Sequence, residues 1–303
     1  MIRAVDLFAG WGGFTQGAQD AGVDVVWAAN HWPLAVHVHS TNHPGAVHEC
    51  QDLQQADWTA LPAFDLLLAS PACQGHSTAS QPKRRRYHDA LRATAWAVVD
   101  CADATEPSAI IVENVPSFRN WRLFPLWCEA LQLLGYHVQD MELTASHHGV
   151  PQRRRRLFIV ATRRQCSLKL PSSSVEPAFG PCIDWDVDGW RPVTAASTGA
   201  RKRIAKGRAN HGARFLTQHV SNHPGVPLDQ PIRTVTTKDQ WAVVDGDRYR
   251  PLTMRELARG MGFPESYVWP GDLRRRDVVQ GLGNAVCPPV ARDLITAVSS
   301  EVH

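Results

Sequence analysis

The apolar run Phe64-Asp65-Leu66-Leu67-Leu68-Ala69 stops abruptly in Ser70-Pro71-Ala72-Cys73-Gln74-Gly75-His76-Ser77. A run this short and this apolar, ended by proline and glycine, reads as a buried parallel strand. It commits the chain to an α/β architecture and puts Cys73 at the carboxyl edge of a sheet. That edge is where open α/β folds bind ligands and carry out chemistry. A thiol there is a candidate nucleophile; a small buried apolar group is the other reading.

The same pattern begins the chain. The strand Ala4–Phe8 runs into Ala9-Gly10-Trp11-Gly12-Gly13, and a helical pattern from Phe14 to Ala21 stops at Gly22. A glycine turn between strand and helix lets the backbone approach a ligand, and the helix N-terminus favours an anion. The turn lacks GxGxxG and a Lys-Ser/Thr ending, which argues against a dinucleotide or a nucleoside triphosphate. The carboxylate of an amino-acid-like cofactor suits it; so does a plain tight turn. A second strand, Val23–Ala29, ends in Asn30-His31-Trp32. Nucleotide folds grip a ribose here with an acid, and this chain has none. Trp32 suits stacking on adenine as well as an ordinary half-buried position. His39 and His43, four apart, share a helix face. With no ligand pattern around them they read as a solvated face rather than a metal site. Asp52 follows a third strand, Ala46–Glu49, and can accept from an adenine amino group.

Beyond the cysteine strand, Gln81–Tyr87 is a basic loop containing Lys83, Arg84, Arg85 and Arg86. It reads as a solvated face or as a loop closing over a phosphate backbone. A helix is expected over 88–104. The strand Ala109–Val112 then ends in Glu113-Asn114. A carboxylate at the end of a buried strand is costly unless it is paired or does chemistry, and burial raises its pKa towards that of a neutral-pH proton donor. A helix over 123–134 and a strand over 136–143 precede Gln152-Arg153-Arg154-Arg155-Arg156 and the strand Leu157–Ala161. In an extended segment Arg154 and Arg156 share one face, where they suit a base oxygen, a phosphate or a carboxylate.

Near Arg163 the composition shifts to Pro, Ser, Thr, Gly and basic residues as far as Arg248. Arg191, Arg201, Lys202, Arg203, Lys206, Arg208 and Arg214 crowd one part of it. The net charge is only +3, so this clustering says more than the total. It reads as a small basic module of the kind that docks on nucleic acid. The α/β pattern then resumes: Thr253 and Glu256 form a capping box, and Gly283-Asn284-Ala285-Val286 leads to a last helix, Val290–Val298. Seven scattered cysteines without a CxxC pair argue for a reducing compartment and against a disulfide framework or structural zinc. No run approaches the roughly 20 apolar residues of a membrane span, and Met1 leads directly into the first strand. A cytoplasmic, nucleoid-associated protein is expected.

In this order, Asp6–Phe14, Pro71–Ser77, Glu113-Asn114-Val115, Gln152–Arg156, Arg250–Met261 and Gly283–Val286 resemble the cytosine carbon-5 DNA methyltransferases. The resemblance covers about 1–165 and 249–303. It implies a Rossmann-like S-adenosylmethionine-dependent methyltransferase sheet, discontinuous over 1–165 and 249–303, with a target-recognition domain inserted at 166–248. It implies methyl transfer to carbon 5 of a flipped-out cytosine in duplex DNA, with S-adenosylhomocysteine as product. Cys73 would be the nucleophile, Glu113 would act at ring nitrogen 3, and Arg154 and Arg156 would hold the base oxygen and the closed loop. Phe8, Ala9, Gly10, Gly12, Gly13, Phe14, Asn30, His31, Trp32, Asp52, Leu53, Pro71, Asn284 and Ala285 would form the cofactor site. Gln74, Ser77, Lys83–Arg86, Arg203, Thr234 and Val235 would meet DNA. No metal is implied. A monomer is expected, with a restriction endonuclease of the same site as companion. An RNA methyltransferase of the family and an inactive DNA binder are the competing expectations. Two departures stand out: Ala72 where the family has proline before the nucleophile, and Asn30-His31 where it has a ribose-binding glutamate.

Overall fold

Side chains alternate at period two along the central strands and fill two cores at once. In β1 (Arg3–Leu7) Ala4 enters one core while Val5 and Leu7 enter the other. With β2 (Asp24–Asn30) and β3 (Val47–Cys50) preceding it, β4 (Leu66–Ala69) repeats the pattern: Leu66 and Leu68 face one core, Leu67 and Ala69 the other. Ile110 and Ile111 of β5 (Ala109–Asn114) diverge in the same way. A strand apolar on both faces must be covered on both faces, and helices do so here. The computed structural model describes residues 1–72 and 94–302. The expected site residues Cys73, Gln74, Ser77, Lys83, Arg84, Arg85 and Arg86 lie outside the described residues.

The large sheet has the order β3-β2-β1-β4-β5-β8-β6, with β6 at His137–Thr144 and β8 at Arg155–Thr162. The first five strands are parallel, and β8 lies antiparallel between β5 and β6. The carboxyl ends of β1, β2, β4 and β5 therefore share one edge. Helices α1 (Gly13–Asp20) and α2 (Pro33–Asn42) follow the first two strands, with α3 (Trp96–Thr105) and α4 (Phe124–Leu133) later in the chain. The last helix, Pro288–Val302, packs on α1, so the two ends of the chain close one core.

Between β8 and the final helices the chain builds a four-stranded sheet. Its strands are β9 (Arg191–Pro192), β10 (Arg214–Gln218), β12 (Trp241–Asp245) and β13 (Arg248–Pro251), in the order β10-β12-β13-β9. The boundary drawn at 248/249 cuts this sheet, because β13 is one of its inner strands. The clustered basic residues Arg201, Lys202, Arg203, Lys206 and Arg208 lie on a 14-residue helix, α5 (Thr198–His211). Its apolar positions are too few for periodicity to reveal it. Two short strands, β7 (Gln152–Arg153) and β11 (Ile232–Arg233), pair in parallel and join the small module to the arginine segment.

Helix α6 (Met254–Arg259) carries the expected capping box of Thr253 and Glu256. Glu256 does more than cap. Its carboxylate takes two hydrogen bonds from the buried Arg250 guanidinium, at 2.7 and 2.6 Å, and another from the Asp184 amide at 2.8 Å. Breaking a buried, bidentate pair leaves an uncompensated charge. Glu256→Leu is accordingly expected to lower unfolding free energy by roughly 3–5 kcal/mol. Urea unfolding followed by tryptophan fluorescence measures this, and a loss below about 1 kcal/mol contradicts it.

Candidate active site

The turn after β1 and the carboxyl ends of β2, β4 and β5 enclose a cavity of about 350 Å³. Phe8, Ala9 and Gly10 form one wall, with Gly13 and Phe14 behind them, and Asn30, His31 and Trp32 line the end of β2. Pro71 and Ala72, directly before Cys73, line it too, as do Glu113 and the Asn284-Ala285 step. Eleven of the fourteen expected cofactor residues thus share one cavity. Gly12, Asp52 and Leu53 are not on its wall. Gly12 backs onto His43 and Tyr267. Asp52 accepts the Gln54 amide at 3.1 Å, and Leu53 is buried in the core beneath.

The site carries local strain. Phe8 adopts φ 58°, a left-handed conformation that a non-glycine residue avoids unless its surroundings hold it. Asn30 is turned inwards: its Oδ1 accepts the Trp32 amide at 2.9 Å, where α2 begins. Trp11, Gln280 and Gly281 also line the cavity, and sequence reasoning assigned none of them a role. Gly281 is the available signal. A Cβ there would fall 0.5 Å from Trp11 Nε1, so the indole occupies the space that glycine leaves.

At the end of β5, Glu113 is 5% exposed and pairs with Arg156, whose Nε lies 3.0 Å from Oε1. Burial raises the Glu113 pKa, while Arg156 and Arg154 pull it back. The carboxyl is therefore suited to holding a proton in a hydrogen bond. Arg154 is 2% exposed and reaches elsewhere. It donates to the carbonyls of Val235, Gly283 and Ala285 at 3.0, 2.8 and 2.9 Å. Arg153 and Arg155 point the opposite way, to Glu176 and Glu142. Asn114 donates to the Pro71 carbonyl at 3.1 Å, and the Ala72 amide donates to Thr94 Oγ1 at 3.2 Å. The backbone entering Cys73 is thereby tied to the strand that carries Glu113.

The histidine reading is overturned. His39 and His43 are each 1% exposed, not solvated. They face inward onto buried polar partners: His39 reaches the fully buried Asp6 through Thr15, and His43 meets Gln19. Thr15 Oγ1 donates to Asp6 at 2.8 Å and meets His39 Nε2 at 2.9 Å; His39 Nδ1 meets His48 Nε2 at 2.7 Å. With the Thr15 proton given to Asp6, His39 Nε2 bears its hydrogen and Nδ1 accepts from His48. His43 bonds Gln19 at 3.0 Å and approaches the Tyr267 hydroxyl, which itself donates to the Trp11 carbonyl. Among the described residues, no three such side chains are placed to hold a metal ion.

Burial pushes Asp6 up to about 7 and, with the neighbouring His48, holds His43 down to about 4. A histidine kept neutral by folding stabilises fully above its unfolded pKa of about 6.5, and that contribution is lost as pH falls towards 4. Asp6 acts with the opposite sign in the same window, so the difference between wild type and His43→Gln is the informative quantity. That difference is expected to move by on the order of 3 kcal/mol in favour of the variant between pH 7 and pH 4. A difference independent of pH in denaturant titrations contradicts this.

The family model for C-5 cytosine-specific DNA methylase matches residues 2–180 and 186–300. Type II methyltransferase M.HgiDI of Herpetosiphon aurantiacus is 28% identical over 319 aligned positions, covering 100% of this chain and 96% of that one. Type II methyltransferase M.NlaX of Neisseria lactamica is 26% identical, over 96% and 94% of the two chains. Among solved structures, Dnmt2 methyltransferase of S. pombe superposes with a TM-score of 0.74 at 18% identity, covering 100% and 99%. The methyltransferase EhMeth of Entamoeba histolytica gives 0.73 at 16% identity, covering 100% and 99%. These two establish the likeness of fold. No helix among the described residues is long and apolar enough to cross a membrane.

Proposed function

The chain belongs to the C-5 cytosine-specific DNA methylase family, and we propose that it methylates carbon 5 of a cytosine swung out of duplex DNA, through a transient bond to Cys73. One observation carries this reading. A buried, arginine-paired Glu113 shares a cavity with the glycine turn and with the Pro71-Ala72 step that leads into Cys73.

The cavity's residues fit S-adenosylmethionine. The turn's backbone and the N-terminus of α1 suit the carboxylate of an amino-acid moiety. Trp32 and Phe14 suit an adenine ring, and Asn30 and His31 can hydrogen-bond a ribose without a carboxylate. When bound, that cofactor supplies an electrophilic methyl group. The protein's own residues supply the rest. Cytosine carbon 5 is a weak nucleophile until a thiolate adds at carbon 6. Glu113, its proton shared with ring nitrogen 3, takes up the charge this addition creates, and Arg156 keeps the carboxyl in place. Carbon 5 then gains the methyl and loses its proton to solvent, and the bond to Cys73 breaks. The base must leave the helix to reach a site this enclosed.

Arg203 on α5 and Thr234 belong to the small module, which we assign to the duplex and whose sheet runs on to Pro251; Val235, expected to meet DNA, is instead 1% exposed with its amide and carbonyl bonded to Gln152 and Arg154. The Type II methyltransferase relatives make a restriction endonuclease of the same site the expected companion. Nucleoside mass spectrometry tests the chemistry. DNA from a methylation-free host expressing the wild type is expected to gain 5-methylcytosine, and Cys73→Ala is expected to abolish it. Glu113→Gln is expected to slow methyl transfer by roughly 10²–10⁴-fold. Methylation confined to RNA, or retained by Cys73→Ala, overturns the reading.

A further inference from the structure

The small module contains a second cleft, of about 220 Å³, between the first turns of α5 and the adjoining ends of β10 and β12. Three polar atoms of its lining residues, Arg203 Nε, Thr217 Oγ1 and Trp241 Nε1, are buried with no hydrogen-bond partner among the described residues. Thr217 and Trp241 are 7% and 3% exposed. Buried polar groups are normally paired. The three here lie beneath the opening, behind the side chains that face it.

At this cleft two glutamines meet. Gln218, almost fully buried, donates from Nε2 to Gln240 Oε1 at 3.2 Å. The backbone of Gln240 is fixed as well, because its carbonyl accepts the His219 amide at 2.7 Å. Gln240 itself is only half-buried. Its amide is thus braced from behind and keeps its two hydrogens and one lone pair of Oε1 to offer.

The segment that carries Gln240 starts at the reaction site. The Val235 amide donates to Gln152 Oε1 at 2.7 Å, and its carbonyl receives Arg154. Next, the backbone of Thr236 and Thr237 lies directly on Gly283, where a Cβ would come within 2.4 Å of the Thr236 carbonyl carbon. Asn284 and Ala285, the next residues, wall the first cavity. Arg275 then clamps Asp239 with two bonds of 2.5 and 2.9 Å. A rigid path therefore leads from Glu113 and Arg156 to the Gln240 amide, and the exposed Lys238 and the partly exposed Arg203 flank its end.

A glutamine amide matches the major-groove edge of adenine, donating to N7 and accepting from the N6 amino group. Resting on the reading of this chain as a DNA cytosine methyltransferase, we propose that Gln240, braced by Gln218, reads one adenine of the target duplex and so sets one position of the recognised sequence.

Genome-wide bisulfite sequencing tests this in a host free of cytosine-5 methylation, expressing wild type, Gln240→Ala, Gln240→Glu or Gln218→Leu. The wild-type consensus is expected to contain an A·T pair near the methylated cytosine. Gln240→Ala is expected to raise methylation of sites altered at that one pair, relative to cognate sites, by roughly tenfold or more. The near-isosteric Gln240→Glu keeps the test open if the alanine variant does not fold. It is expected to shift that position towards C·G, because a carboxylate accepts from cytosine N4. Gln218→Leu is expected to relax the same position less. A consensus without an A·T pair, an unchanged consensus in both Gln240 variants, or a uniform loss at every site overturns the proposal. Wild-type DNA without any 5-methylcytosine instead overturns the functional reading on which it rests, since no consensus then forms.

Discussion

A single buried guanidinium holds the two parts of this molecule in register. Arg154 gives its hydrogens to backbone carbonyls at Val235, Gly283 and Ala285, segments 81 to 131 residues away in the chain. A buried charge is costly unless its hydrogen bonds are met. The three carbonyls are themselves groups that need donors, so each side satisfies the other. The outcome is geometric: the inserted module, the Gly283–Ala285 step and the arginine strand cannot shift independently. Two residues further along, Arg156 reaches Glu113 on a path that Arg154 has already fixed.

The site joins two kinds of polar burial. Glu113 and Arg156 form a charged pair beside the cavity, where a carboxyl with a raised pKa can serve chemistry. Beneath the glycine turn, Asp6, Thr15, His39 and His48 form a hydrogen-bonded row in which burial disfavours charge, pushing Asp6 up to about 7 and holding His39 and His48 below the usual histidine range. The row is not fully satisfied, since Asp6 Oδ1 has no hydrogen-bond partner among the described residues. The Tyr267 bond to the Trp11 carbonyl secures the same turn from the C-terminal part of the chain.

The cavity at the sheet edge and the cleft of the small module are separated in space but connected by one segment, 234–240. The large sheet brings the reactive groups to one edge because its parallel strands all end there. The small antiparallel sheet borders a second cleft that shares no lining residue with the first cavity. Side chains on the second surface can thus change while the first stays constant.

The strands of the large sheet, the glycine turn, the Glu113 strand end and the capping box at Thr253 are legible in the sequence, because each rests on local signals: apolar runs, turn residues and i to i+3 capping. Their order also carries the family resemblance. The inward turn of His39 and His43 is not legible, since their partners Thr15 and Gln19 each lie 24 residues earlier. Nor is helix α5, whose sparse apolar residues rely on β10 for burial, nor the role of Trp11, which depends on a missing Cβ at Gly281. The sequence by itself determined the sheet, the reaction type and the residues offered for it, because these follow from short-range pattern and side-chain chemistry. Only the tertiary structure decided that Arg154 joins the modules, that His43 packs beneath the glycine turn, and that Gln218 braces Gln240. Each of those depends on which distant backbone or polar group closes the hydrogen bonds of a buried one.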